Sequence, residues 1–183
     1  MKSGILNIYK EKGYTSHDVV ARLRGIVGQK KIGHTGTLDP EAEGVLPVCL
    51  GRATKVCDML TDKDKTYETV LLLGISTDTQ DITGKVLSER SPDDPGLPGG
   101  AVTEEKAEAC ISGFVGEYDQ IPPMYSALKV GGKKLYELAR EGRTIERKSR
   151  KVMIYGIKIR EIDLPRIRME VKCSKGTYIR TLC

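Results

Sequence analysis

One carboxylate stands out by the company it keeps. The run Gly33-His34-Thr35-Gly36-Thr37-Leu38-Asp39-Pro40-Glu41-Ala42-Glu43-Gly44-Val45-Leu46-Pro47-Val48 presents Asp39 from a stretch suited to an irregular backbone. The glycines at 33, 36 and 44 permit positive φ and close approach of a ligand. Pro40 drives Asp39 out of the helical region toward extended geometry. An acid held this way sits on a fixed loop, where functional sites concentrate. On shape alone the simpler reading is an Asx-type turn, in which Asp39 bonds local amides.

The second feature that bears on chemistry is a concentration of charge. Residues 120–151 hold nine basic side chains (Lys129, Lys133, Lys134, Arg140, Arg143, Arg147, Lys148, Arg150 and Lys151) against Glu137, Glu141 and Glu146. That segment carries +6, whereas the whole chain carries +5, so all of the excess positive charge lies within it. A basic patch on a near-neutral body is the footprint of a polyanion binder. A solvated surface stretch has the same composition.

The bulk composition excludes several other classes. With 183 residues, 30% charged and 39% hydrophobic, the chain suits one globular domain, or one with a small insertion. No apolar run approaches the roughly 20 residues that span a bilayer, and residues 1–7 lack the apolar core of a secretion signal. A cytoplasmic protein without membrane partners is expected. The five cysteines at 49, 57, 110, 173 and 183 form no C-x-x-C pair, and the only histidines are His17 and His34. That argues against a metal site and predicts reduced, mostly buried thiols. No phosphate-cradling glycine motif is present, so no nucleotide cofactor is expected.

Several elements must position these residues. Thr15 and Asp18 form a capping pair ahead of a helix over 16–28, with Val19, Val20, Leu23, Ile26 and Val27 as its apolar stripe. Ala53, Val56, Cys57 and Leu60 keep the spacing of a second amphipathic helix. Tyr67 opens a run through Val70-Leu71-Leu72-Leu73 that reads as a buried strand ending at Gly74, with Ile82–Leu87 as its hairpin partner and 77–81 as the connection. A loop over 91–101 precedes a helix capped by Thr103, whose face is Ala107, Cys110, Ile111 and Phe114. Pro122-Pro123 breaks the chain before the basic segment, and a short helix is expected over 134–140. Residues 152–162 are β-branched, with an alternation that slips at Tyr155-Gly156 as a bulge would make it. Ile167, Met169, Val171 and Cys173 alternate with Arg168, Glu170 and Lys172 as a half-buried strand does. Helices and strands without a βαβ rhythm indicate an α+β fold around a largely antiparallel sheet.

The Asp39 run resembles the catalytic motif of the TruB-type tRNA pseudouridine synthases over its whole length. Further stretches are similar in the same order. Lys10-Glu11-Lys12-Gly13-Tyr14-Thr15-Ser16 is similar to the family's K-P-x-G-x-T-S, with Glu11 where proline is usual. Lys65-Thr66-Tyr67-Glu68 and Gly74-Ile75-Ser76-Thr77-Asp78-Thr79-Gln80-Asp81 follow. Gln120-Ile121-Pro122-Pro123-Met124-Tyr125-Ser126-Ala127-Leu128-Lys129, with Gly131, Lys133, Leu135 and Tyr136, resembles the family's RNA-gripping insertion. Lys175-Gly176-Thr177-Tyr178-Ile179-Arg180-Thr181-Leu182 resembles its strand-to-helix motif. Five matches in order are far more specific than any one of them.

The resemblance implies a pseudouridine synthase fold, α+β, with a mixed, largely antiparallel sheet flanked by helices. Residues 1–183 would be a catalytic domain carrying an inserted basic thumb over about 120–151. Because family members continue past the last motif, the domain is expected to be incomplete after Cys183, with a C-terminal RNA-binding domain absent. The implied reaction isomerises uridine to pseudouridine in the T-loop of tRNA, at the position conventionally numbered 55. The C1′–N1 bond breaks, the base turns, and C1′ bonds to C5. No cofactor is required. The expected partner is the tRNA T-arm stem-loop, with no obligate protein partner.

Asp39 takes the nucleophile's role by this resemblance, with Arg180 as its ion-pair partner. A guanidinium at contact offsets the drive toward the neutral acid that a carboxylate feels among tyrosines. Tyr67 offers a face on which uracil stacks, worth about 1–3 kcal/mol, and a phenol near the C5 proton. Tyr178 is either a packing residue or, as the resemblance implies, the other wall of the pocket. The target base must leave its stack at a cost of a few kcal/mol, and His34 is the wedge that fills the gap. Gly36 and Thr37 complete the substrate-binding loop, and Lys129, Lys133 and Lys134 meet phosphates. An RNA-binding or RNA-folding module with little turnover is the alternative. A guide-dependent relative of the dyskerin type is disfavoured by the bacterial-looking 39–44 stretch and the substantial thumb.

Overall fold

A computed structural model describes residues 1–183, and the chain divides into two units, Met1–Lys63 and Asp64–Cys183. In the first unit, strand β1 (Gly4–Lys10) leads to helix α1 (Ser16–Val27), followed by β2 (Ile32–His34) and β3 (Gly44–Leu50). A 3-10 turn (Gly51–Val56) and the short helix α2 (Cys57–Thr61) close the unit. The three strands form an antiparallel sheet in the order β1-β3-β2. Alternation puts Leu46, Val48 and Leu50 on the face that α1 covers, where they cluster with Ile32 and Val20. Each such fully buried aliphatic stabilises by about 1.5–3 kcal/mol.

The expected capping box of α1 is present. Thr15 Oγ1 accepts from Asp18 N at 3.1 Å, and Asp18 accepts from Thr15 N at 2.8 Å. Ile26, counted in the apolar stripe, is 74% exposed and lies off it. The second helix is shorter than its spacing suggested. Residues 51–56 form a 3-10 turn that starts at Gly51, φ 56°, without a side-chain cap, and only five residues are α-helical.

The second unit is built on a four-stranded antiparallel sheet in the order β4-β11-β10-β7. Its strands are β4 (Lys65–Leu72), β7 (Gly116–Gln120), β10 (Arg150–Asp163) and β11 (Arg166–Cys173). Two small hairpins accompany it, β5 (Ile75–Thr77) with β6 (Val86–Glu89), and β8 (Lys129–Val130) with β9 (Lys133–Lys134). Helices α3 (Glu104–Ser112), α4 (Leu135–Arg140) and α5 (Ile179–Leu182) complete it. Ile167, Met169, Val171 and Cys173 are all buried, as their alternation predicted, and Ala107 and Ile111 of α3 pack on them. The slip at Tyr155-Gly156 is a register shift between Ile154 and Gly156, and a second shift lies between Ile159 and Glu161.

Several expectations fail for identifiable reasons. The strand from Tyr67 starts at Lys65, alternates, and leaves Val70 51% exposed, so it is half-buried. Its partner is β11, with Tyr67 opposite Val171, and not 82–87. Gly74 at φ 89° turns the chain away, and a Cβ there would lie 2.3 Å from Arg90 O. Residues 82–85 lie outside any strand, and Thr77 belongs to β5. In α3, Ala107 and Ile111 face the core, whereas Cys110 is exposed and Phe114 lies past the helix end. Of the cysteines only Cys49 and Cys173 are buried, so the thiols are not mostly buried. Every strand pairing is antiparallel, divided among four sheets where a single one was expected. The basic segment has its own small core of Met124, Leu135 and Leu138, with Leu128 and Ile145 against it.

Candidate functional site

The loop that carries Asp39 joins β2 to β3 within the first unit. Its turn is closed by the main chain, with Ala42 N donating to Asp39 O at 3.0 Å, while Asp39 itself is exposed. Both shoulders of the loop are pinned. On one side, Leu38 N donates to Oγ of buried Ser16 at 3.0 Å. On the other, the fully buried Lys10 donates through Nζ to Tyr14 O at 2.6 Å, Glu11 O at 3.1 Å and Pro40 O at 3.3 Å. Pro40 O also accepts from Gly13 N at 2.8 Å. Burial pushes the Lys10 pKa down, opposed by the charges of Asp39, Glu41 and Glu43. Of the three glycines in the run, Gly44 alone has positive φ, at 134°. At Gly33 the space is tight, since a Cβ there would meet Cys57 Sγ at 3.3 Å.

His34 ends β2 with Nδ1 2.6 Å from Gly36 O, a contact it makes as the donor. Its ring meets the edge of His17 at a centroid distance of 5.3 Å. Burial pushes its pKa down, the Gly36 carbonyl opposes this, and the nearby His17 adds to it. Thr35 is buried, with its N–H on Pro47 O at 3.1 Å, and Thr37 is exposed.

In the second unit, Tyr67 sits on β4 with its ring against the core cluster of Ile154, Ile167, Met169 and Val171. Arg180 rises from α5 into a knot of polar groups. Its Nη1 donates to Thr79 O at 2.9 Å and lies 3.6 Å from Asp81 Oδ2, and its Nη2 donates to Tyr125 O at 3.0 Å. Asp81 is in turn held by Thr79 Oγ1 at 2.8 Å, Thr83 N at 3.0 Å and Thr83 Oγ1 at 2.5 Å. Burial raises the Asp81 pKa, but the Thr83 and Thr79 hydrogen bonds and the Arg180 charge outweigh it, leaving it lowered. Gln80 takes φ 61°, and its Oε1 accepts from Thr181 Oγ1 at 2.6 Å. Tyr178 precedes α5 with its main chain bonded to buried Gln120.

The basic segment shows most of its charge to solvent. Lys129 and Lys133 are exposed on the β8–β9 hairpin, and Lys134 is half-buried with Nζ 3.1 Å from Tyr136 Oη. Lys134 and Arg140 both lie over the Tyr136 ring, at 5.3 Å. Lys133 also pairs with Glu141 at 3.4 Å, and Lys151 pairs with Glu117. No three His, Cys, Asp or Glu side chains gather in a way that could hold a metal ion.

Gly36, Thr37 and Asp39 thus share one loop, with His34 at the end of the strand that leads into it, and Tyr178 and Arg180 share one turn of chain. Lys129, Lys133 and Lys134 share one hairpin. Sequence reasoning missed Lys10, Asp81 and Gln120. All three lie in the motif stretches, but nothing in their type announces a buried lysine, a clasped aspartate or a glutamine bonded to main chain.

Residues 24–179 match the family described as TruB family pseudouridylate synthase (N terminal domain). The chain belongs to the TruB family. That match spans Asp39, Tyr67 and Tyr178. The TruB-family chain is 54% identical over 181 residues to the tRNA pseudouridine synthase B of Clostridium novyi (strain NT), covering 99% of this chain and 60% of the relative. With the protein of the same name from Lachnoclostridium phytofermentans it shares 58% over 189 residues, covering 99% and 59%. It spans about 60% of the length of the curated relatives it matches. Among solved structures, a chain of the crystal structure of a Cbf5-Nop10-Gar1 complex is similar with a TM-score of 0.69 and 32% identity. That likeness covers 98% of this chain and 42% of the other. A chain of an H/ACA RNP bound to a substrate RNA containing 2′-deoxyuridine gives a TM-score of 0.66 at 28% identity, covering 98% and 40%. The α+β fold expected from the sequence is that of this family.

Proposed function

We propose that the chain is the catalytic domain of a tRNA pseudouridine synthase, with the segment 120–151 as its RNA-binding insertion. It isomerises the T-loop uridine at position 55, in the cytoplasm and without a cofactor. The observation that carries the reading is Asp39. It is an exposed acid on a loop pinned at both shoulders by buried Lys10 and Ser16, in a chain of the TruB family. A nucleophile needs that combination of access and fixed direction.

In this reading Asp39 attacks the nucleoside and Arg180 supplies the balancing charge. Tyr67 stacks the freed uracil and takes part in removing the C5 proton. Tyr178 walls the pocket, and His34 occupies the place of the flipped base. Gly36 and Thr37 line the approach, and Lys129, Lys133 and Lys134 grip the phosphates of the T-arm. The curated relatives named tRNA pseudouridine synthase B support tRNA as substrate, at higher identity than the H/ACA structures.

The test is incubation of the chain with an unmodified tRNA transcript, without protein or guide RNA, followed by pseudouridine mapping. Product at the T-loop uridine is expected. Asp39→Asn should bind the transcript and make none. Turnover by Asp39→Asn removes the nucleophile's role from this residue. Binding without product by the unaltered chain favours an RNA-binding module instead.

A further inference from the structure

Gln120 ends β7 at the point where the basic insertion begins, and it is only 2% exposed. Its side-chain amide clasps the main chain of Tyr178 from both sides. Tyr178 N donates to Oε1 at 2.8 Å, and Nε2 donates to Tyr178 O at 3.0 Å. Nε2 also bonds the Tyr118 hydroxyl. An amide that serves both the N–H and the C=O of one residue acts as a neighbouring strand would, fixing height and orientation together. Tyr178 needs such a partner. It is extended, at φ −99° and ψ 107°, and caps α5 without a side-chain bond of its own. Two residues further along α5 stands Arg180, whose Nη2 donates to Tyr125 O, from the same segment as Gln120. The first residues of the insertion therefore hold the Tyr178–Arg180 turn twice, once by its backbone and once by its guanidinium.

We propose that Gln120 is a positioning residue, which sets Tyr178 and Arg180 for the reaction and joins them to the root of the RNA-binding insertion. This rests on the reading of the chain as a pseudouridine synthase.

Gln120→Met keeps length and packing but removes both clasps. It should lower kcat roughly 10²-fold, as an ångström-scale misplacement does. tRNA affinity should stay within about twofold, because the phosphate contacts are untouched. Gln120→Glu adds a readout that packing alone would not move. A protonated carboxyl offers one donor and one acceptor, which is the pair the amide turns toward Tyr178, whereas the ionised form turns an acceptor toward Tyr178 O. Burial raises the introduced carboxyl's pKa. The charged and titratable groups around it are Tyr118 on β7, Arg150 opposite it on β10, Tyr178 and Arg180 at α5, and the Cys173 and Cys183 thiols that bear on Tyr118. The unaltered chain carries all of them too, so the activity ratio isolates the new carboxyl. That ratio should climb as pH falls between about pH 8 and pH 5. Unchanged kcat in Gln120→Met, or a flat ratio in Gln120→Glu with both variants folded by circular dichroism, overturns the proposal. If the unaltered chain makes no pseudouridine, the functional reading fails, and amide exchange at Tyr178 still decides the clasp. Exchange should be faster in Gln120→Met, and an unchanged rate refutes the positioning role.

Discussion

Lys10→Met isolates what a buried ammonium does beneath the Asp39 loop. Methionine fills the same channel but carries no donor. Three carbonyls lose a charged partner, and their fates differ. Pro40 O keeps its bond from Gly13 N at 2.8 Å, so it is not orphaned. Tyr14 O and Glu11 O, at 2.6 and 3.1 Å from Nζ, lose the ammonium outright. Leaving a buried acceptor unmet costs about 1–3 kcal/mol, and this falls mainly on Tyr14 O, because Glu11 is exposed and water can reach its carbonyl. Against this stands relief of the burial penalty that holds the Lys10 pKa down. The net expectation is a loss of about 2 kcal/mol, seen in urea as a midpoint about 1 M lower at unchanged slope. The pH dependence gives a second check. With its pKa lowered from 10.5, folded Lys10 releases its proton before unfolded Lys10 does. Between those two values the unfolded state binds more protons, so the unaltered chain gains stability over Lys10→Met as pH rises through the folded pKa. Below that window the difference is constant. An unchanged midpoint, or a difference that shrinks with rising pH, would refute the assignment of Lys10 as the loop's anchor.

Three further outcomes follow from the same geometry. Asp81→Asn should cut kcat at least about tenfold by loosening Arg180. It should also remove the stability that lowered-pKa Asp81 contributes above 3.8 and loses as pH falls through its folded value, read from urea midpoints between neutral and acid pH. His34 should titrate below 6.5 by NMR, and acidification from 6.5 toward its folded pKa should destabilise the unaltered chain more than His34→Gln. Lys129→Ala should reduce the slope of log affinity against log salt for tRNA by roughly 0.7–0.9. Lys133→Ala should reduce it less, because Glu141 already partners Lys133 at 3.4 Å.

What was legible in the sequence was local. The Thr15–Asp18 box, the alternation from Ile167 to Cys173 and the slip at Tyr155-Gly156 each depend on residues within a few positions of one another, and each reads correctly. Pairing was not legible at that range. Strand β4 had an apparent partner close by at 82–87, but Gly74 turns the chain and β4 pairs instead with β11, about a hundred residues later. Val70 looked buried because its neighbours are leucines, yet alternation on a one-sided sheet exposes it. The 3-10 turn at 51–56 defeated a helical spacing for a related reason. Ala53, Val56 and Cys57 satisfy the period, but a spacing of three or four residues fits a 3-10 turn as well as an α-helix, and the chain is 3-10 up to Val56.

The candidate site divides along the same line: the residues proposed for chemistry lie in motifs, whereas their supports were hidden. Asp39, Tyr67 and Arg180, to which the proposed function gives chemical roles, were singled out by motif. Lys10, Ser16 and Gln120 hold the parts in place through main-chain atoms, namely Pro40 O, Leu38 N, and Tyr178 N and O. Every residue but proline offers the same donor and acceptor there, so such a bond leaves no complementary side chain for a sequence reader to find. A salt bridge between two side chains can be suspected from two charges. A lysine bonded only to carbonyls reads as a surface lysine until its burial is seen. Arg180 lies between these cases. Asp81 was visible as an acid in a motif, but Thr79 O and Tyr125 O, which share the guanidinium with it, were not. Supporting residues of this kind should therefore be sought among polar side chains that are fully buried and lack a side-chain partner of opposite charge. In this chain Lys10 and Gln120 meet that description, and each touches a segment that carries a residue of the proposed chemistry.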